Sequence, residues 1–449
     1  MDAGPLEAPA AICSAKSERA LDWVNFFLAA LLMGFGPYLT IQLTDHNWTA
    51  ESIGLVLTVA GLAGLVTQLP AGELIDTVRS KRALIAIAGA AAALALLVFG
   101  FWPDFLAAMA AALVRGAAGS ILGPAIAAVS LGLVGHDALA ERLGRNQRFA
   151  SIGSLVAAAI MGAVGYLLST PDIFVLAAAL LIPLLLALQR IRAADIHFSR
   201  SCGAHNHQER PQRVNRSALF KDERLLTFAI CLFLFQLANA SLLPQLGQTL
   251  AHVEGHSSSL VVSALVVGPQ IVVVALASWA GRAAVTWGRR PLLIIGLAAV
   301  PIRAGVFALT LNPAALIVLQ LLDGLSGATL GVLTALVVAD ITKGTGRFNL
   351  AQGFVGTLSA IGASLSTSLA GIIVERFGPT AGLLCVTMVG QLAVVVVVAF
   401  MPETKPPERT DSERGAESHR AGNFAPAMTV TRSGRRLTRS RRRRGPTPA

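Results

Sequence analysis

A chain of 449 residues that is 54% hydrophobic and only 14% charged lacks the polar surface of a soluble globular protein, in which roughly 25% of residues carry charge. Its net charge of +11 does not mark a nucleic-acid binder, because Lys and Arg fall in alternate breaks between long apolar runs and in the tail, so the charge describes topology. The cysteines, Cys13, Cys202, Cys231 and Cys385, have no paired spacing and two lie in apolar runs, which argues against a disulfide framework or a zinc site.

The apolar runs are each about 20 residues long, the length a helix needs to cross about 30 Å of hydrocarbon at about 1.5 Å per residue. A β-barrel would show alternation instead. No short apolar segment with a small-residue cleavage site precedes the first run, which is therefore expected to remain as a helix. The sequence places spans at 21–43, 52–71, 83–102, 105–135, 147–169, 172–189, 225–247, 258–280, 291–311, 313–340, 350–374 and 379–401. Basic breaks alternate with breaks that hold no Lys or Arg, so both termini and the middle segment are expected in the cytoplasm.

The reading is thus an all-α membrane protein of about twelve transmembrane helices. Its parts are a cytoplasmic N-terminus (1–20), a six-helix bundle (21–189), a cytoplasmic linker (190–224), a second six-helix bundle (225–401) and a disordered basic tail (402–449). The linker carries His197, His205 and His207 among arginines. A metal site there is conceivable, but no Cys or carboxylate spacing supports one, and a solvated loop is the expectation. The tail ends in RRLTRSRRRRGPTPA, which either binds anionic lipid or acidic partners or only reinforces orientation.

The two halves are related. RGAAGSILG from Arg115 matches DGLSGATLG from Asp323, setting Gly116, Gly119 and Gly123 against Gly324, Gly327 and Gly331. Pro37 with Pro244, Gly61 with Gly268, and Gly153 plus Gly162 with Gly362 plus Gly371 keep nearly the same offset. A constant register across four helices argues for an internal duplication, which makes the two bundles pseudo-symmetric.

On these residues the chain resembles the major facilitator superfamily from about Leu21 to Met401. GELIDTVRSKR, Gly72 to Arg82, resembles the signature of the second cytoplasmic break, and GRAAVTWGRR, Gly281 to Arg290, is its counterpart. The first copy has Arg79 where a second Gly is usual, and the second has Val285 where the Asp is usual. LVRGAAG, Leu113 to Gly119, is similar to the fourth-span motif of the drug-proton antiporter branch, a branch that implies efflux, although Ala118 replaces the usual Gln. In the fifth span Ala163 and Tyr166 stand where the antiporter motif has Pro and Gly. The superfamily resemblance implies that spans one, four, seven and ten line a central cavity. It also implies that Asp76 meets the start of the eleventh span near Asn349 to Gln352, with Asp76, Arg79, Arg82, Arg289 and Arg290 gating the cytoplasmic side. A carboxylate at that helix N-terminus has a clear electrostatic rationale.

Arg115 and Asp323 lie near the middle of their spans, where a charge costs about 2.5–3.5 kcal/mol on insertion scales. Three readings are open: a structural ion pair between them, a functional pair in which Asp323 carries a proton while Arg115 tunes it and attracts an anion, or separate roles. Asn25, Tyr38 and Gln42 in the first span, and Gln236, Asn239 and Gln245 in the seventh, are either solute contacts or interhelical hydrogen bonds. Pro37 and Pro244 should bend their helices. Gln270, Gln320 and Arg303 are also intramembrane, and Arg303 reads as packing or lipid-related. Gly119, Gly123, Gly153, Gly162, Gly327, Gly331, Gly362 and Gly371 are expected to pack helices closely.

The function these readings imply is a secondary carrier that moves a small solute by alternating access, coupled to protons, in the plasma (inner) membrane. An uncoupled facilitator is the alternative. A membrane-embedded enzyme or sensor would need a nucleophile and base, or a metal cluster, and the spans offer neither, so no enzyme activity is expected. No cofactor and no metal is expected. The partners are membrane lipid, a small-molecule substrate and protons, with no nucleic acid, and the chain is expected to be a monomer.

Overall fold

The computed structural model of the chain describes residues 15–35, 37–204, 221–243, 245, 258–310 and 312–405. Pro244, Cys13, His205, His207, the basic tail and much of the linker therefore lie outside the described residues. Every regular element among the described residues is helical.

The first span is two helices, α1 (Ala15–Met33) and α2 (Pro37–Asp45), interrupted at Gly34–Phe35. Proline at the start of α2 has no N–H to offer the preceding turn, which is why the first helix stops there. Next come α3 (Ala50–Thr77), α4 (Lys81–Phe101), α5 (Phe105–Val134) and α6 (Leu139–Leu167). The sixth span is also divided, into α7 (Thr170–Ala179) and α8 (Leu181–Arg190). Pro183 again removes the bond that would have continued the helix. A short helix, α9 (Phe198–Ser201), lies in the linker.

The second half comprises α10 (Glu223–Asn239), α11 (Ser258–Thr286), α12 (Arg289–Phe307), α13 (Pro313–Ile341), α14 (Phe348–Phe377) and α15 (Pro379–Phe400). Ten spans among the described residues are single helices or helix pairs long and apolar enough to cross a membrane. The broken first span and α10 complete the series. Helix starts are set by side-chain caps: Thr49 accepts from Ser52 N, Asp104 from Ala107 N, Asp222 from Leu225 N and Asn312 from Ala315 N. Each such cap contributes on the order of 1 kcal/mol.

Each half has its own apolar core, one built mainly from residues between Ala20 and Ile191 and the other mainly from residues between Leu225 and Met401. Inside each half, two glycines let backbones touch. Gly116 of α5 lies on the Ala60 carbonyl of α3, and Gly324 of α13 lies on the Pro269 carbonyl of α11. Gly153 of α6 lies on the Phe26 carbonyl of α1, and Gly362 of α14 on the Phe233 carbonyl of α10. Any side chain at these four positions would collide with main chain, and the pairs are repeat mates 208 or 209 residues apart.

Several expected packing glycines do something else. Gly119, Gly123 and Gly371 have open space where a Cβ would point, and Gly162 is 3.7 Å from the Tyr38 hydroxyl by the same measure. Gly327 and Gly331 meet side chains, Val273 at 3.1 Å and Gln147 at 2.9 Å, rather than backbone. The close-packing face of α5 is therefore not the one the sequence suggests: Gly116 is the contact, and Gly119 and Gly123 are exposed.

Among the described residues the halves meet at the end that carries Arg79, Arg82, Arg289 and Arg290. Here Gly72 of α3 abuts the Asn349 carbonyl and Gly353 of α14 sits 2.6 Å, measured from an added Cβ, from the Gln68 carbonyl. The repeat-related contact joins α6 to α11: Gly144 and Gly281 are each 2.5 Å, by the same measure, from the carbonyls of Ala277 and Ala140. Two helix pairs thus approach backbone to backbone at this end.

Candidate functional site

Asp323, midway along α13, keeps 30% of its side-chain surface exposed and pairs with Arg303 Nη1 at 2.8 Å. Arg303 is 1% exposed. It also donates to Gln320 Oε1 at 3.2 Å and to Asn239 Oδ1. The guanidinium therefore fastens α12 to α13 and to the last residue of α10. Because Gln320 and Asp323 are three apart on one helix, they share the face that receives it.

This corrects the pairing of Asp323 with Arg115: the cation on Asp323 comes from its own half. Of the two readings of Arg303, packing or lipid-related, its enclosure by protein fits packing. A buried guanidinium needs several acceptors to be tolerated, and the neighbouring helices supply three.

Arg115 forms no ion pair or hydrogen bond among the described residues, and its Nε is buried without a partner. Its guanidinium lies over the Phe35 ring, 5.2 Å from the centroid. Phe35 occupies the break between α1 and α2, so the interruption of the first span is what brings an aromatic face to Arg115. Such a contact contributes about 0.5–2 kcal/mol depending on desolvation. The open space at Gly119 and Gly123, one and two turns along, lies on the same side of α5 as Arg115.

Most of the polar residues expected in the cavity are bonded to protein. Asn25 donates to the Leu21 carbonyl at 2.8 Å and Gln42 to the Gly100 carbonyl at 3.0 Å, and both are buried. Tyr38 donates to the Ala158 carbonyl at 3.1 Å, and Gln245 to Ser241 Oγ at 3.0 Å. Asn239 is taken by Arg303. Gln236 is half-buried and its side chain forms no hydrogen bond among the described residues, which leaves it as the polar group of this set open to a solute.

At the closed end, Asp76 is fully buried. One carboxylate oxygen accepts from Asn349 N at 3.2 Å and Asn349 Nδ2 at 2.8 Å, and the other from Leu350 N at 2.9 Å. A carboxylate of the first half thereby caps the N-terminus of α14 in the second, where exposed N–H groups and the helix dipole favour it. Glu73 and Arg347 add a longer cross-half ion pair at 3.8 Å.

The other basic residues of the two motif copies do not bridge the halves. Arg79 is exposed, and Arg82 donates to the Ile191 carbonyl. Arg289 pairs with Asp340 at 2.9 Å and donates to the Ala284 carbonyl at 2.7 Å, while Arg290 donates to Val398. Lys81 does in the first half what Arg289 does in the second: each opens a helix and caps the carbonyl end of the one before, Lys81 on Ile75 and Val78. Cations at a helix C-terminus are favoured by the dipole.

The first part of the linker is no solvated loop. Ile191, Ser201 and Cys202 are fully buried. His197 N donates to the Gly132 carbonyl at 3.1 Å, and Cys202 Sγ to the Asp76 carbonyl at 3.3 Å. On the other half, Asn349 Nδ2 donates to the Ser201 carbonyl at 3.1 Å, Phe348 N to the Cys202 carbonyl at 3.2 Å and Gly344 N to the Gly203 carbonyl at 2.5 Å. Residues 191–204 form a strap across the closed end. Partial burial, with Arg200 nearby, holds the His197 imidazole below its ordinary pKa, and no group of three potential metal ligands occurs among the described residues.

One largely buried cluster had no sequence signal in the motifs. Asp22 of α1 takes Arg142 and Arg145 of α6, the latter at 2.5 Å. Arg142 continues to Asn146 at 2.8 Å, which donates to Ser130 Oγ at 2.7 Å. Gly144 and Gly353 were also missed, although the 209-residue offset that relates Gly72 to Gly281 relates them as well.

Comparison with known proteins accords with this architecture. The Major Facilitator Superfamily model matches residues 21–266 and 228–445. An uncharacterized MFS-type transporter of Mycobacterium tuberculosis, found in the CDC 1551 and H37Rv strains, is 36% identical over 393 residues, which is 86% of this chain and 93% of the relative. Among solved structures, the Escherichia coli fucose:proton symporter aligns with a TM-score of 0.68 at 15% identity, covering 84% of this chain and 97% of that one. The human organic anion transporter MFSD10 aligns with a TM-score of 0.64 at 14% identity, covering 85% and 99%. At such identities the likeness concerns the fold alone. With the family model and the mycobacterial relative both spanning most of its length, the chain is a transporter-type integral membrane protein that belongs to the major facilitator superfamily.

Proposed function

We propose that the chain is a proton-coupled secondary carrier that works by alternating access. The observation that carries this reading is Asp323: a mid-membrane carboxylate, partly exposed, whose counter-cation Arg303 is fully enclosed and has other acceptors to fall back on. A proton arriving from the exposed side removes the charge that Arg303 pairs with, and the guanidinium then rests on Gln320 and Asn239. Since Asn239 ends α10, that exchange reaches a third helix. Arg115, unpaired and stacked on Phe35, supplies a cation for an anionic group on the solute, with Gln236 as a further polar contact.

The positive-inside rule assigns the closed end to the cytoplasm, so the conformation described is outward-facing; the plasma (inner) membrane is the proposed location. The fourth-span motif favours an antiporter sense, with solute leaving as protons enter. Reconstitution in liposomes tests the coupling. A pH gradient should drive anionic solute flux through the native protein. Asp323→Asn should abolish that drive while solute exchange persists, and Arg115→Gln should raise KM. Gradient-driven flux unchanged in Asp323→Asn would remove the proton role and leave a facilitator.

A further inference from the structure

We propose that the cleft between α1 and α8 binds one anionic phospholipid. A cavity of about 710 Å³ opens there, lined by Lys16, Arg19, Trp23, Phe27, Leu186 and Arg190. That volume lies in the range of small-molecule sites, about 300–1,000 Å³.

The lining is sorted by depth. Lys16 and Arg19 sit in the first turn and a half of α1, and Arg190 is the last residue of α8, so three cations ring one mouth at the end of the spans. Trp23 lies about 6 Å deeper than Arg19 and Phe27 a further 6 Å or so, at about 1.5 Å per residue. Leu186 lies one turn inside Arg190 on the facing helix. Cations at headgroup level above an apolar slot at acyl depth match an amphiphile with a negative head. A soluble anion would leave the slot without a purpose.

Two nearby described carboxylates, Asp22 and Asp195, bond away from the mouth. Asp22 of α1 pairs with Arg142 and Arg145 of α6. Asp195 of the strap accepts from Ser17 Oγ at 2.5 Å on the buried face of α1. Arg19 and Arg190 are exposed and form no ion pair among the described residues. Trp23 is 47% exposed yet held by Phe26 and Phe27, with ring centroids 5.5 and 5.7 Å away, so the floor of the mouth is pre-formed.

Native mass spectrometry of the full chain, exchanged into detergent with equal phosphatidylglycerol and phosphatidylcholine, tests this. One phosphatidylglycerol should be retained in preference to phosphatidylcholine. Arg19→Gln and Arg190→Gln should each weaken retention about fivefold, at roughly the strength of one basic residue near an anionic surface. Arg19→Lys with Arg190→Lys should retain most of it, which separates loss of charge from loss of fold. Equal retention of the two lipids, or unchanged retention in the Arg→Gln variants, would overturn the proposal. So would displacement of the lipid by glycerol 3-phosphate alone, which would show a site for a free phosphate.

Discussion

Asp76 is one residue whose contacts belong to a single state of the molecule, because its partners, Asn349 and Leu350, are in the other half. Asp76→Asn keeps the size and an acceptor but removes the charge from the α14 N-terminus, which should cost the closed form about 1–2 kcal/mol. The closed population should fall about five- to thirtyfold and transport should slow with solute affinity little changed; a full transport rate would contradict this. Arg303 and Asp323, by contrast, should act as a unit within one half. Arg303→Gln leaves a half-buried carboxylate unpaired and should destabilise the fold by about 3–5 kcal/mol. Adding Asp323→Asn should recover much of that, and simple additivity in thermal unfolding would refute the coupling. Glu403 offers a pH test outside the membrane. Partial burial pushes its carboxyl up, but hydrogen bonds from the backbone N–H groups of Arg289, Lys405 and Arg290 outweigh burial and hold it below its ordinary value. A depressed folded pKa means the stabilisation is present above the unfolded value and lost as pH falls through the folded one. The native protein should therefore unfold at higher temperature than Glu403→Gln at pH 7, and the gap should narrow below about pH 4.5; a constant gap would count against it.

Among the helices, the glycines divide into two kinds that substitution should separate. Gly153→Val drives a side chain into the Phe26 carbonyl within one bundle and should impair folding. Gly144→Val drives one into the Ala277 carbonyl across the closed end, so each bundle should fold while closure of that end fails. Thermal stability near native with loss of transport is the expected result for Gly144→Val; equal destabilisation by both would show that the end does not open. The helices themselves were legible in the sequence because a 20-residue apolar run in lipid has one hydrogen-bonded solution. Their breaks were less so. Pro37 announced the first, whereas Pro183 lay within a run that read as one span. The strap was illegible for a clear reason: residues 191–204 open a linker rich in Arg and His, which reads as solvated, yet their groups bond into both halves at Asp76 and Asn349.

At the scale of the whole molecule, the duplication visible in the sequence becomes a pair of repeat-related contacts, α3 with α14 and α6 with α11, at one end. The repeat is unequal where it matters. Asp76 latches the first contact, whereas its repeat mate at the second is Val285, which has no carboxylate. Depth was readable from the sequence, so Arg115 and Asp323 were both placed mid-membrane. Direction was not, because long apolar helices carry little amphipathic pattern to say which face meets which neighbour. For that reason the stripe through Gly119 reads as packing from the sequence, and Arg303 as either packing or lipid-related. The alternation between two ends is the central claim. Its most direct test is pulsed electron resonance between spin labels on exposed positions of the two halves at the closed end, Arg79 and Lys343, with a second pair, Trp102 and Leu309, at the opposite end. Acidification with solute present should lengthen the first distance while shortening the second. If both distances stay fixed, or both move in the same direction, the two bundles do not rock about a shared centre and the account fails.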